Sequence, residues 1–177
     1  MKRILFIGRF QPFHNGHMYV LKKLLKQYRE VVIVVGSAEA AQSWRNPLTS
    51  GERVEMILGA LTKEQKLRTI LIPVRDINNH AFWVSHVSSY VPCYEAVYSN
   101  NVIVNRLFRK AKVKVLTGYY KRQIYEGQKI RSMIVNDDSK WEKLVPKEVV
   151  KYLKNKKLDK KLNQFLSEKA NQRGAPL

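Results

Sequence analysis

Cysteine is nearly missing from this chain. Cys93 stands alone among 177 residues, so no disulfide can close within the chain, and a reducing, cytoplasmic setting is expected. No motif surrounds Cys93, which reads as a small buried residue. Long apolar runs are missing too. Stretches such as residues 31–35 fall far short of the ~20 residues that cross a bilayer, so no membrane partner is expected. The opening run, residues 1–7, is apolar like a leader but stops at Gly8-Arg9, with no small-residue cleavage site after it. It reads as a buried first strand. Acidic residues are few: 14 Asp and Glu face 33 Lys and Arg, leaving a formal charge of +19. Such an excess selects polyanionic partners, whether nucleotide phosphates, nucleic acid or an acidic surface. Part of it lies in Lys140, Lys143, Lys147, Lys151, Lys154, Lys156, Lys157, Lys160 and Lys161. A like-charged block of this kind reads first as a solvated helix face.

What is present is alternation. Short runs rich in β-branched residues at 3–7, 31–35, 69–73, 96–99 and 114–116 read as strands. Helical patterns at 17–27, 51–61, 81–90 and 102–111 separate them. The fold class expected is α/β: a Rossmann-like, doubly wound parallel sheet with helices on both faces. Thr49-Ser50-Gly51-Glu52 has capping-box spacing, which starts the second helix. After Arg131 the pattern is wholly helical, so the expected organisation is an α/β domain over residues 1–135. A basic helical extension of that domain follows over 136–177, frayed from Asn171. Three irregular loops, 36–48, 76–80 and 117–128, fall where doubly wound sheets bind ligands.

The first loop holds the densest chemistry: Gly8-Arg9-Phe10-Gln11-Pro12-Phe13-His14-Asn15-Gly16-His17, between a strand and a helix. Gly8 and Gly16 let backbone approach a ligand closely. A helix N-terminus presents N–H groups and a positive dipole end to phosphate. His14 and His17 are three residues apart, so both can face one ligand and donate ring N–H bonds. Arg9 adds a cationic fork. Two other readings compete. A metal site lacks a third His, Cys or carboxylate at ligand spacing. Ordinary surface histidines would not bracket a glycine at a strand-to-helix turn when the chain has only four. A dinucleotide-binding loop is excluded, because three glycines in register are missing.

The segment from Gly8 to His17 resembles the signature of the nucleotidyltransferase superfamily marked by a His-x-Gly-His turn. From Arg3 to about Val150 the chain is similar to the archaeal type of nicotinamide mononucleotide adenylyltransferase. The likeness includes Gly36-Ser37-Ala38, the stretch from Asn46 to Arg53, Asp76-Ile77 with Trp83-Val84-Ser85, and Val97-Tyr98-Ser99. It continues through Arg106-Leu107-Phe108, Tyr125 to Arg131 and Trp141 to Pro146.

This resemblance implies that ATP is held by Gly8, Arg9, Phe10, His14, Gly16, His17, Arg122 and Arg131, with Arg9, His14 and His17 catalytic; Lys129 is expected among them for its charge, which offsets Glu126. It implies a mononucleotide pocket of Ser37, Arg45, Asp76, Asn79, His80 and Trp83. The adenylyl group of ATP would pass to nicotinamide mononucleotide, giving NAD and pyrophosphate. Magnesium would be held through the ATP phosphates, with no protein ligand. A homo-oligomer is expected by the same likeness. Nicotinate mononucleotide, flavin mononucleotide, phosphopantetheine and glycerol phosphate with CTP are the rival substrates within the superfamily. A non-catalytic, salt-sensitive nucleic-acid-binding module is the rival from another class. The sequence departs from the family pattern twice. Glu126-Gly127-Gln128-Lys129 replaces a hydroxyl pair near the triphosphate, and His80 stands where the family has Asn, with Asn79 one residue earlier.

Overall fold

The computed structural model describes residues 2–77, 79–118 and 124–174. Five strands form one sheet: β1 (Arg3–Gly8), β2 (Glu30–Val35), β3 (Thr69–Pro73), β4 (Ala96–Tyr98) and β5 (Lys114–Leu116). All pairings are parallel, in the order β3-β2-β1-β4-β5. Parallel strands need crossovers, and helices supply them. These are α1 (Asn15–Gln27), α2 (Ser50–Ala60), α3 (Lys63–Leu67), α4 (Trp83–Tyr90) and α5 (Val102–Lys110). The expected architecture is therefore present, and element ends differ from the sequence reading by only one or two residues. Helix α3 was not expected: its five residues bury nothing, so they carry no apolar period.

Alternation within the strands divides the core in two. Ile4, Phe6, Val31, Ile33, Val35 and Tyr98 face α1 and α2. Leu5, Ile7, Val32, Val34 and Val97 face α4 and α5 through Trp83, Val87, Val104 and Phe108. Successive strand residues point to opposite faces, so a strand buried on both sides must be apolar throughout. That is why β1 and β2 read as unbroken hydrophobic runs.

The C-terminal part is helical, as expected: α6 (Gly127–Val135), a short 3₁₀ helix (Ser139–Leu144), α7 (Lys147–Asn155) and α8 (Leu158–Gly174). Its apolar residues Ile130, Ile134, Trp141, Val149, Leu153 and Leu162 join the α1–α2 side of the core. Its lysines are not only a solvated face. Lys154 pairs with Glu142 at 2.7 Å, Lys161 with Glu52 at 2.9 Å and Lys156 with Glu55 at 3.8 Å. Two of these reach back to α2. Exposed pairs contribute about 0–1 kcal/mol each, so burial of the apolar residues holds the extension in place. Helix α8 runs through Asn171 to Gly174. Cys93 also departs from expectation, being exposed in the segment before β4. Among the described residues, no helix is long and apolar enough to cross a membrane.

Candidate active site

In the order 3-2-1-4-5 the winding reverses between β1 and β4. A crevice opens there, beyond the carboxyl ends of the strands. A cavity of about 590 Å³ occupies this place, within the range of small-molecule sites. Its walls come from the segments after β1, β2, β3 and β4 and from the start of α6.

The turn after β1 is shaped by its aromatic residues. Phe10 has a φ of 54° and folds its ring back beneath Gly8. A Cβ on Gly8 would lie 2.9 Å from Phe10 Cζ, so glycine here makes room for a core ring as well as for a ligand. Phe10 borders the cavity, but its ring is packed edge-on against Phe6 and His17 and is 1% exposed. It is a core residue first.

His14 is the N-cap of α1, and it forms a reciprocal capping box with His17. The His17 backbone N–H donates to His14 Nδ1 at 3.2 Å, and the His14 backbone N–H donates to His17 Nδ1 at 3.2 Å. The two rings stack with centroids 3.5 Å apart. A nitrogen that accepts a hydrogen bond carries no proton in the neutral ring. This assigns the proton of both neutral rings to Nε2. Burial lowers the His14 pKa to about 3, and it pushes His17 well below its ordinary value, with the neighbouring His14 adding to the effect. Both rings are neutral at pH 7 and serve as N–H donors at a helix N-terminus. That fits phosphate better than a metal, which would have to take a ring nitrogen.

Three arginines border the same cavity: Arg9, Arg45 and Arg131. Burial lowers the Arg9 pKa, and Arg45 lowers it further. Burial also lowers Arg131 to about 10, with added repulsion from Arg9 and Arg45 that Glu126 only partly offsets. The guanidinium groups remain charged at neutral pH and repel one another, and a bound polyanion relieves that repulsion. Arg131 Nη1 donates to Gln11 O at 2.6 Å, and its guanidinium lies over the Trp44 ring at 5.6 Å.

Two further wall residues differ in chemistry. Trp83 packs on Phe108 in the second half of the core, is 8% exposed and borders the cavity. Asp76 accepts from Ser37 Oγ at 2.6 Å, while its backbone N–H donates to Glu39 at 2.9 Å. The cavity thus combines three guanidinium groups with an indole and a carboxylate.

A family model described as cytidylyltransferase-like matches residues 5–170. The nicotinamide-nucleotide adenylyltransferase of Pyrococcus furiosus is 44% identical over 158 residues, which are 87% of this chain and 84% of that one. The protein of the same name from Halobacterium salinarum is 46% identical over 147 residues, 82% of each chain. The chain belongs to the nicotinamide-nucleotide adenylyltransferases. A solved bifunctional NMN adenylyltransferase/ADP ribose pyrophosphatase from Francisella tularensis, complexed with AMP and a manganese ion, superposes with a TM-score of 0.70. That match covers 99% of this chain and 57% of that one, and at 22% identity it is a likeness of fold.

In this adenylyltransferase the cavity gathers Gly8, Arg9, Phe10, His14, His17, Ser37, Arg45, Asp76, Trp83 and Arg131. Four expected residues do not line it. Gly16 is buried in the first turn of α1. Lys129 is exposed on α6, where Gly127 and Gln128 take the wall positions. His80 is an exposed turn residue, and the Asn79 side chain is engaged locally, accepting from Ala81 N–H at 3.0 Å. Arg122 lies outside the described residues. The missing hydroxyls have a visible consequence: Glu126, the N-cap of α6, makes no side-chain capping bond.

The sequence reading missed the segment after β4. Ser99, Asn100 and Asn101 border the cavity, and Asn101 caps α5 by accepting from Ile103 and Val104 N–H. The polar cluster Ser-Asn-Asn directly after an apolar strand was the available signal. Tyr125 was also missed as a wall residue. Its ring stacks toward His14 at 6.2 Å.

Proposed function

We propose that this chain transfers the adenylyl group of ATP to the 5′-phosphate of nicotinamide mononucleotide, releasing pyrophosphate and forming NAD. The observation that carries the reading is the pair of neutral, mutually capped histidines beside three crowded arginines, in one cavity with Trp83 and Asp76.

In this reading a phosphate oxygen of the mononucleotide attacks the α-phosphorus of ATP. The new P–O bond forms as the bond to the bridging oxygen breaks, and its electron pair leaves with pyrophosphate. The attacking phosphate is already ionised, so the protein needs no general base and no covalent intermediate. Its work is positioning and charge stabilisation. Nε2–H of His14 and His17 donates to the triphosphate. Arg9 and Arg131 balance charge as it shifts to the leaving group, and the uncapped N-terminus of α6 faces the same end. Among the described residues, no three His, Cys, Asp or Glu side chains gather to hold a metal. Magnesium would enter with ATP, held mainly by its phosphates and water, as part of the substrate.

The Trp83 indole stacks on the pyridinium ring and favours its positive charge. The Asp76 carboxylate attracts the same ring and repels the extra carboxylate of nicotinate mononucleotide. This ranks the nicotinamide form above the nicotinate form. The test is an acceptor panel: purified protein, ATP and magnesium with each mononucleotide, flavin mononucleotide or phosphopantetheine, reading dinucleotide and pyrophosphate. NAD should dominate. Product from flavin mononucleotide or phosphopantetheine alone would keep the transfer but discard the pocket. No product with any acceptor would discard the transfer.

A further inference from the structure

Arg53 has no exposed surface. Burial lowers its pKa to about 10, opposed in part by Glu39, so it is cationic at neutral pH. A buried charge is costly unless it is fully hydrogen-bonded. Among the described residues Arg53 makes no ion pair within 4 Å, and it does not border the cavity. Its partners are main-chain carbonyls. Nη1 donates to Gly36 O at 2.7 Å and Arg9 O at 3.1 Å, Nη2 to Ser37 O at 3.0 Å, and Nε to Thr49 O at 3.2 Å.

Those carbonyls belong to two loops: Arg9 lies in the one after β1, and Gly36, Ser37 and Thr49 lie in the one that runs from β2 to α2. Arg9 starts the turn that leads to His14 and His17. Ser37 holds Asp76 on the mononucleotide side. Thr49 ends the loop that carries Arg45. The planar fork presents its donors at fixed angles, which a lysine ammonium cannot copy. A second cross-link, Gly36 N–H to Gly8 O at 2.9 Å, joins the same two strand ends.

We propose that Arg53 is a positioning residue that fixes the separation of the ATP loop from the mononucleotide loop, and so of the two reacting phosphates, while touching neither nucleotide. This rests on the adenylyl-transfer reading above. A misplacement of about 1 Å between reacting groups can cost about 100-fold in rate, whereas each nucleotide alone can still find its own loop. Rate and binding should therefore separate.

The experiment compares the intact protein with Arg53→Lys and Arg53→Met. Melting temperature, the dissociation constants of ATP and of nicotinamide mononucleotide measured singly, and kcat are read for each. Both variants should stay folded at the assay temperature. Each dissociation constant should remain within about threefold of the wild type, and kcat should fall at least about tenfold, less for Lys than for Met. An unchanged kcat would overturn the proposal. So would a loss of kcat matched by an equal loss in the affinity of either nucleotide, which marks a substrate contact. Failure of Arg53→Lys to fold would overturn it as well, because the role would then be general stability. If the wild type itself makes no dinucleotide, the transfer reading fails, and that result cannot be mistaken for the others.

Discussion

Gly127→Ala should destabilise this protein, although glycine-to-alanine changes in helices ordinarily stabilise. Gly127 opens α6, where alanine would gain up to about 1 kcal/mol of helix propensity. A Cβ built there lies 2.8 Å from Gln11 O and 3.4 Å from Arg131 Nη1. The obstacle is backbone. It cannot retreat easily, because the Gln11 side chain is held by Leu48 in both directions, at 2.8 and 3.1 Å. Overpacking of this kind costs about 1–3 kcal/mol, so the net loss after the helix gain is about 0–2 kcal/mol. For a chain of this length that lowers Tm by up to about 8 °C. The Arg131 to Gln11 bond crosses the same contact, so the KM for ATP should rise too. Gly59→Ala is the control. It lies in α2 with nothing within 4 Å of the new Cβ, and it should raise Tm by about 1–4 °C. Calorimetric melting of the two variants beside the wild type decides the matter. A Gly127→Ala protein that melts above the wild type would refute the close approach of α6 to the first loop.

Three further outcomes follow from the same geometry. The histidine pair makes stability depend on pH: the folded state resists protonation down to about pH 3 at His14, whereas the unfolded state takes up a proton near 6.5. This contribution is full above pH 6.5 and is lost as pH falls below it, by up to about 1.4 kcal/mol per pH unit for each histidine. Urea melts at pH 7 and pH 5 should show the drop, and a His14→Gln, His17→Gln protein should show a flatter profile. His17→Ala should lower kcat by about 100-fold or more, as loss of a preorganised donor does, while mononucleotide binding changes little. Equal losses in both would mark a structural histidine. Gln128→Thr restores a hydroxyl to the uncapped start of α6 and should tighten ATP binding by about fivefold, the worth of one net hydrogen bond. Unaltered affinity would count against the view that this loop weakens the ATP contacts.

Much of this was legible in the sequence. Both-faced burial makes β1 and β2 wholly apolar, and Thr49 with Glu52 spells out the start of α2, so sheet, helix boundaries and crevice could be placed. The first loop announced itself because glycine and histidine coincide at a strand-to-helix turn. The mutual capping of His14 and His17 could only be seen in three dimensions, since histidine is not a preferred N-cap. Arg53 was illegible for a related reason. An arginine in so basic a chain reads as surface, and nothing local shows that two loops converge on it. The resemblance placed His80 and Asn79 in the pocket, whereas both are exposed residues before α4 that do not line the cavity. Lys129 was expected from charge alone, and helix phase decided otherwise.

The central claim is attack on the α-phosphorus, and isotope placement tests it most directly. ATP labelled at the α-phosphate is incubated with nicotinamide mononucleotide, magnesium and the protein, and the products are separated. The account predicts label in NAD and none in pyrophosphate, with γ-label behaving in the opposite way. Label released as free AMP, or NAD that carries none of it, would contradict the account.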